Sequence, residues 1–170
     1  MQLVGLIKNL YFAVRFYFMT INPVMIQDKL NDAAFKYYLS DADRESPDGV
    51  WIYKIVKPMP LGLSPAKQID HIYQFAYLYD CNDAMAKMYG CEHAEEFIGK
   101  RLSETLPHTE QNIEFLLAFI NSGYILAGAE SQEIDEQGRT KHFLNTFKGI
   151  LEDGFLTGTI GFQKDIIPKR

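Results

Sequence analysis

The stretch Cys81–Leu102, CNDAMAKMYGCEHAEEFIGKRL, decides how the rest of the chain is read. It holds two short helical patterns, each opened by small polar residues and closed by a glycine. Asn82 or Asp80 can cap the first, which carries Ala84, Met85 and Met88 and stops at Gly90. Ala94-Glu95-Glu96-Phe97-Ile98 forms one more turn, stopped by Gly99, and Leu102–Leu106 another, stopped by Pro107. Downstream, Thr109 caps a longer helix with Glu110 in its first turn. Ile113, Leu116, Leu117 and Ile120 form its apolar stripe, Phe115 and Phe119 widen it, and Ser122-Gly123 closes it.

Strands flank this helical middle. Val50–Val56, a β-branched and aromatic run, predicts a first strand, and Phe75–Tyr79 a short second one. Between them Lys57–Pro65 is proline-rich and predicts irregular chain, after which Ser64-Pro65 opens a short helix whose Ile69, Ile72 and Tyr73 share a face. After residue 123, Tyr124–Ile134, Thr140–Leu151 and Phe155–Lys164 are separated by turns containing Gly138 and Gly154, which predicts a three-stranded antiparallel meander. The fold class is therefore α+β, with five antiparallel strands and helices on one face of the sheet.

The pattern Asn-Asp-Ala, Met-Tyr-Gly and Glu-Glu-Phe-Ile-Gly-Lys over 82–100 resembles the front half of a PAS sensory domain. Phe143–Phe162 followed by Gln163-Lys164-Asp165-Ile166 is similar to that family's last two strands and the Asp-Ile-Thr signature that closes them, with Ile167 in place of the Thr. The resemblance covers roughly 48–167. The helical insertion of about 20 residues between the first two strands departs from the family pattern and could reshape one edge of a pocket.

The N-terminal third falls outside the resemblance. In Leu3–Ile21 the apolar run is broken by Lys8, Asn9 and Arg15, which suits neither a spanning helix nor a signal peptide. On a helix, Lys8, Arg15 and Asn22 make one polar stripe on an apolar rod. Protein, either this domain or a dimer partner, or membrane lipid would have to cover such a rod; otherwise translation starts at Met19 or Met25. Asn22-Pro23 starts an amphipathic helix to about Leu39 through Ile26, Leu30, Ala33, Ala34 and Tyr37. Ser40–Gly49, SDADRESPDG, is polar throughout and is placed as the linker between flanking helices (1–40) and sensory domain (50–167), with a tail at 168–170.

Composition narrows the function classes. With 170 residues, 47% of them apolar, the chain can bury a full core, and a net charge of −5 without a basic cluster after residue 40 argues against nucleic acid as a partner. Cys81 and Cys91 form neither a disulfide framework nor a zinc spacing, which fits a reducing, cytoplasmic setting with or without membrane association. No phosphate loop, Gly-x-Ser-x-Gly elbow or His-Glu-x-x-His helix is present. His71, His93, His108 and His142 are scattered, and Glu95-Glu96 and Asp135-Glu136 sit at element ends. No catalytic residue and no metal ligand is assigned.

What remains is a pocket. Strand alternation puts Phe143, Asn145, Phe147 and Gly149 on one face of the fourth strand and Thr159, Gly161 and Gln163 on one face of the fifth. Apolar walls with a few orienting polar groups are what a small ligand needs, although Asn145 and Gln163 could equally bond each other or backbone in a filled core. The resemblance implies that these faces turn toward the helix bearing Phe115 and Phe119. It also implies that Asn145 and Gln163 match the positions that hold flavin in the light-oxygen-voltage branch. Gly99-Lys100-Arg101-Leu102-Ser103 stands where that branch carries its reactive cysteine, so cysteine-adduct photochemistry is not expected. The long helix has no histidine for haem; only His108 lies just before it. The ligand is left open. Leu156, Ile160 and Phe162 alternate with the inward set and are expected on the outer face, an apolar patch for flanking helices or a second subunit. The expectation is a non-catalytic sensory and dimerisation module, binding a small molecule or partner and relaying the signal through the flanking helices, with an output domain as a possible downstream partner. The alternatives are a small-molecule enzyme using the same pocket and a structural interaction domain with a filled core.

Overall fold

In a computed structural model of the chain, the described residues are 35–166. The expected Leu3–Ile21 segment, its Lys8/Arg15/Asn22 stripe, most of the helix from Pro23, and Ile167 with the tail lie outside them. Where that helix was expected to finish, residues 35–40 are not helical. The Leu39 amide bonds the Asp80 carboxylate at 3.3 Å instead of a carbonyl one turn back.

The elements are α1 (Asp41–Arg44), β1 (Gly49–Pro60), α2 (Pro65–Phe75), β2 (Ala76–Cys81), α3 (Asp83–Met88), α4 (Ala94–Phe97), α5 (Leu102–Thr105), α6 (Glu110–Asn121), β3 (Ile125–Ile134), β4 (Thr140–Glu152) and β5 (Phe155–Asp165). The five strands form one antiparallel sheet in the order β2-β1-β5-β4-β3, so its first and last strands in sequence meet as neighbours at its centre. The core lies between one face of this sheet and the helices. Met85, Tyr89, Phe97, Leu106, Leu116 and Phe119 come from the helical layer, and Trp51, Tyr53, Leu78, Phe143 and Phe147 from the sheet.

Two sequence expectations change. β1 continues through Pro58 and Pro60, where irregular chain was expected, because its pairing with β2 ends at Ile55 and only β5 is paired further along, at Met59 and Pro60. Proline's missing N–H therefore leaves no ladder bond on the β2 side unmade. The expected linker is part of the domain, and the compact unit begins at Tyr37. Ser40 and Asp43 close a capping box on α1, Arg44 Nη2 pairs with Asp80 at 2.8 Å, and Tyr38 packs on Tyr79 with ring centroids 6.2 Å apart. Asn82 does most of the fastening. Its Oδ1 accepts the amides of Met85 (2.9 Å) and Val50 (3.0 Å), capping α3 and holding the start of β1 at once. Its Nδ2 donates to the carbonyls of Asp43 and Asp48, both at 2.9 Å. A polar string looks like a linker only while the buried amide that takes up its carbonyls is out of view.

Asn112 does similar work at the other edge. Fully buried in α6, it donates to the carbonyls of Pro107 (2.8 Å) and Gln132 (2.6 Å) and accepts the Gln132 amide (3.1 Å). The side chain thus pairs with edge strand β3 as another strand would, and it anchors the long helix over the sheet.

Candidate functional site

The sheet brings the expected pocket residues together by register. Asn145 faces Gln163 across β4–β5, and Gly161 stands between Trp51 of β1 and Phe147 of β4. A Cβ at Gly161 would collide with Phe147 and meet the Thr146 carbonyl at 2.7 Å, so only glycine lets the Trp51 and Phe147 rings lean over it to 5.4 Å between centroids. Phe119 stacks on Phe147 at 4.6 Å and Phe115 approaches it at 5.5 Å, which joins α6 to the sheet through one aromatic cluster.

Inside this cluster lies a cavity of about 50 Å³, lined by the expected Phe115, Phe119, Asn145, Phe147, Thr159 and Gln163. Phe143 and Gly161 are buried beside it and do not line it. Trp51, Tyr53, Glu133 and Ile72 are among the further lining residues that the sequence did not place there, Ile72 coming from the inserted helix α2. Leu156 also lines the cavity and is fully buried, which corrects its expected outward position. β5 carries one extra residue opposite Ile150 and Leu151, because Leu151 pairs with Leu156 and Ile150 with Gly158. The bulge at Thr157 reverses the face alternation below it.

The polar residues form one buried chain. Asn145 Nδ2 donates to Ser131 Oγ (2.8 Å), which donates to Glu133 Oε1 (2.7 Å). From the other side Gln163 Nε2 donates to the Tyr89 hydroxyl (3.2 Å), which donates to Glu133 Oε2. Asn145 and Gln163 therefore do not bond each other. Burial pushes the Glu133 carboxyl up to about 7, the two hydroxyl bonds working in the opposite direction. Burial, and then the Glu133 charge, raise the Tyr89 and Tyr53 hydroxyls far above their ordinary range. Trp51 Nε1 is the one buried side-chain polar atom among the described residues without a hydrogen-bond partner. Ser131 and Glu133 both face inward along β3, but strand alternation does not tell a buried carboxyl from a solvated one on an edge strand.

Neither cofactor raised by the sequence fits. A flavin ring system is far larger than about 50 Å³, and the Asn145 and Gln163 amide nitrogens are held within the protein network. His108 is exposed and stacks on Tyr73 at 4.8 Å, outside the cavity lining. Among the described residues no group of three His, Cys, Asp or Glu is placed to hold a metal ion.

On the opposite face Phe162 is 41% and Ile125 64% exposed, and Ile160 is half-buried. Ile160, Phe162, Ile125 and Val50 edge a concavity of about 480 Å³ together with Asp43 and Asp48. Two of the three residues expected on an apolar outer surface are thus found there.

No protein-family model and no curated protein matches the chain. Among solved structures it is similar to the PAS domain of a protein from Colwellia psychrerythraea, at 15% identity and a TM-score of 0.50, over 81% of this chain and 96% of that one. It is similar also to the PAS domain, in complex with ethanol, of a transcriptional regulator in the LuxR family from Burkholderia thailandensis. There the identity is 15% and the TM-score 0.50, over 76% of this chain and 98% of that one. At such identities the likeness is one of fold.

Proposed function

We propose that this chain, a PAS-fold domain, is a non-catalytic sensory module that holds a small molecule between sheet and helices and passes its presence to a partner or output domain. The observation that carries the reading is the cavity itself. Aromatic walls enclose about 50 Å³ into which a buried network is built, and one lining residue, Trp51, keeps an unpaired donor. An unpaired buried donor costs stability, on the order of 1–3 kcal/mol, that a ligand acceptor would recover. The Burkholderia thailandensis domain was solved with ethanol, a molecule of the size this cavity takes.

The route outward is short. Phe147 and Gly161, inside, sit next to Thr146 and Phe162, outside, on the same two strands. A ligand that changes how the rings pack over Gly161 shifts β4 and β5, and with them whatever binds the outer face. This works only if that ligand prefers one of two arrangements. The outer patch around Ile160 and Phe162 is the proposed homodimer contact, and a cytoplasmic setting fits the two free cysteines. Among the described residues no helix is long and apolar enough to cross a membrane.

A second reading has one observation in its favour, the convergence of Ser131, Glu133 and Tyr89 beside Asn145, which supplies a base for a small-molecule enzyme. Ser131 does not line the cavity and its proton is directed at Glu133, so it is no ready nucleophile. Native mass spectrometry of the purified chain, beside its visible absorption, tests the reading. A dimer carrying a small added mass is expected. A mass with nothing added, under conditions that keep weak complexes, counts against it, and conversion of the bound molecule on incubation favours the enzyme.

A further inference from the structure

We propose that the cavity is built for a small organic cation, a protonated amine that also carries an acceptor oxygen, with Glu133 as its counter-charge and Trp51 Nε1 as donor to that oxygen. This rests on the sensory reading and names the ligand class for the same site.

The hydrogen-bond directions carry the first step. An amide nitrogen can only donate, and a hydroxyl has one proton to give. Asn145 and Gln163 each begin an arm with an amide nitrogen, so the hydroxyls of Ser131 and Tyr89 must direct their protons onward. Both arms end as donors to Glu133, one to each carboxyl oxygen. A network in which every arrow points at one carboxyl is arranged for a carboxylate.

Among the described residues no cation answers that charge. Lys141 is the register partner of Glu133 across β3–β4, but its Nζ is held by Asp165 at 2.5 Å. None of the ion pairs among the described residues includes Glu133, and no cation enters the balance that sets its protonation. A buried carboxylate without a counter-ion is costly, and a cation brought by a ligand would offset that cost.

The walls fit the same guest. Trp51, Tyr53, Phe115, Phe119 and Phe147 all line the cavity, and ring faces attract an ammonium group, more strongly when water is excluded. The Trp51 indole N–H needs an acceptor, which a bare alkylammonium lacks and a hydroxyl or carbonyl oxygen supplies. Size sets the upper limit. One water needs roughly 10–15 Å³ measured in this way, so about 50 Å³ takes a molecule of about four non-hydrogen atoms. An anion would face Glu133 directly, and a neutral molecule would leave its charge unanswered.

The full chain is titrated at pH 8 with 2-aminoethanol, ethylene glycol and glycolate, which share a hydroxyl and differ in the charge at the other end. The single tryptophan makes the indole N–H resonance and the fluorescence direct reporters of the site. The expected result is saturable binding of 2-aminoethanol at least tenfold tighter than ethylene glycol, no response to glycolate, and loss of the preference to within twofold in Glu133→Gln. Should that variant not fold, the wild-type series alone decides. Ethylene glycol or glycolate binding as tightly as 2-aminoethanol overturns the cation assignment and leaves the cavity a ligand site. A reporter unmoved by all three also overturns it, and an added mass in the native spectrum then shows that the sensory reading survives.

Discussion

Replacing Glu133 by glutamine should flatten the pH dependence of stability. The folded protein holds the Glu133 proton up to about pH 7, whereas the unfolded chain releases it near 4.5. Between these values the folded state binds more protons than the unfolded one, so stability falls as pH rises through that window and levels off above it. At about 1.4 kcal/mol per pH unit, the contribution lost by pH 8 is about 3 kcal/mol. The glutamine of the variant cannot titrate, so this contribution should stay level over the same range. The amide nitrogen of the variant, like the proton of the neutral carboxyl, must face either the Ser131 or the Tyr89 hydroxyl, which has to turn its own proton away. The assay is urea unfolding at pH 5, 6, 7 and 8, read by the one tryptophan, with wild type and variant compared at each pH. The wild-type curve should fall relative to that of the variant between pH 5 and pH 8 by most of that amount. Curves that stay parallel would refute the assignment of Glu133 as a buried carboxyl with a raised proton affinity.

Other substitutions probe other joints. Asn112→Ala removes the three bonds that hold α6 to Pro107 and Gln132, strands both Gln132 backbone groups, and should lower stability by about 2–4 kcal/mol in the same unfolding assay. Gly161→Ala puts a methyl group against Phe147 and the Thr146 carbonyl, and should cost about 1–3 kcal/mol and shift the Trp51 fluorescence, because the two rings can no longer close over that position. Phe162→Asp places a charge on the exposed face without touching the cavity lining. It should convert a dimer to a monomer in light scattering while leaving the melting temperature within a few degrees, and an unchanged mass would move the contact elsewhere.

The sequence made the local pieces of this fold readable and left the long-range ones hidden. Glycines at 90 and 99, with positive φ, end their turns where the glycine stops placed them, and Asn82 and Thr109 cap the helices that follow. The hairpin turns at Gly138 and Gly154 brought out β3, β4 and β5 within one or two residues of their observed ends. Alternation was enough to send Asn145 and Gln163 inward. It failed at Leu156, because a bulge adds a residue that no turn signal announces. It was silent about Glu133, since a charged residue on an edge strand is ordinarily solvated, and only the hydroxyls of Ser131 and Tyr89, the latter 44 residues away, make it a buried one. Asn82 was legible as a cap, whereas nothing in the spacing singled out Asn112 within its helix. Their other partners, a strand edge and the carbonyls of the 43–48 segment, depend on how the chain closes.

Electron density inside the cavity of crystals grown from the purified protein bears most directly on the central claim that this is a ligand site. The account predicts an ordered molecule bonded to Trp51 Nε1 and in contact with the Phe147 ring, its other end directed to Glu133. A collapsed cavity, with the indole N–H bonded to a protein group and the rings closed on each other, would contradict it.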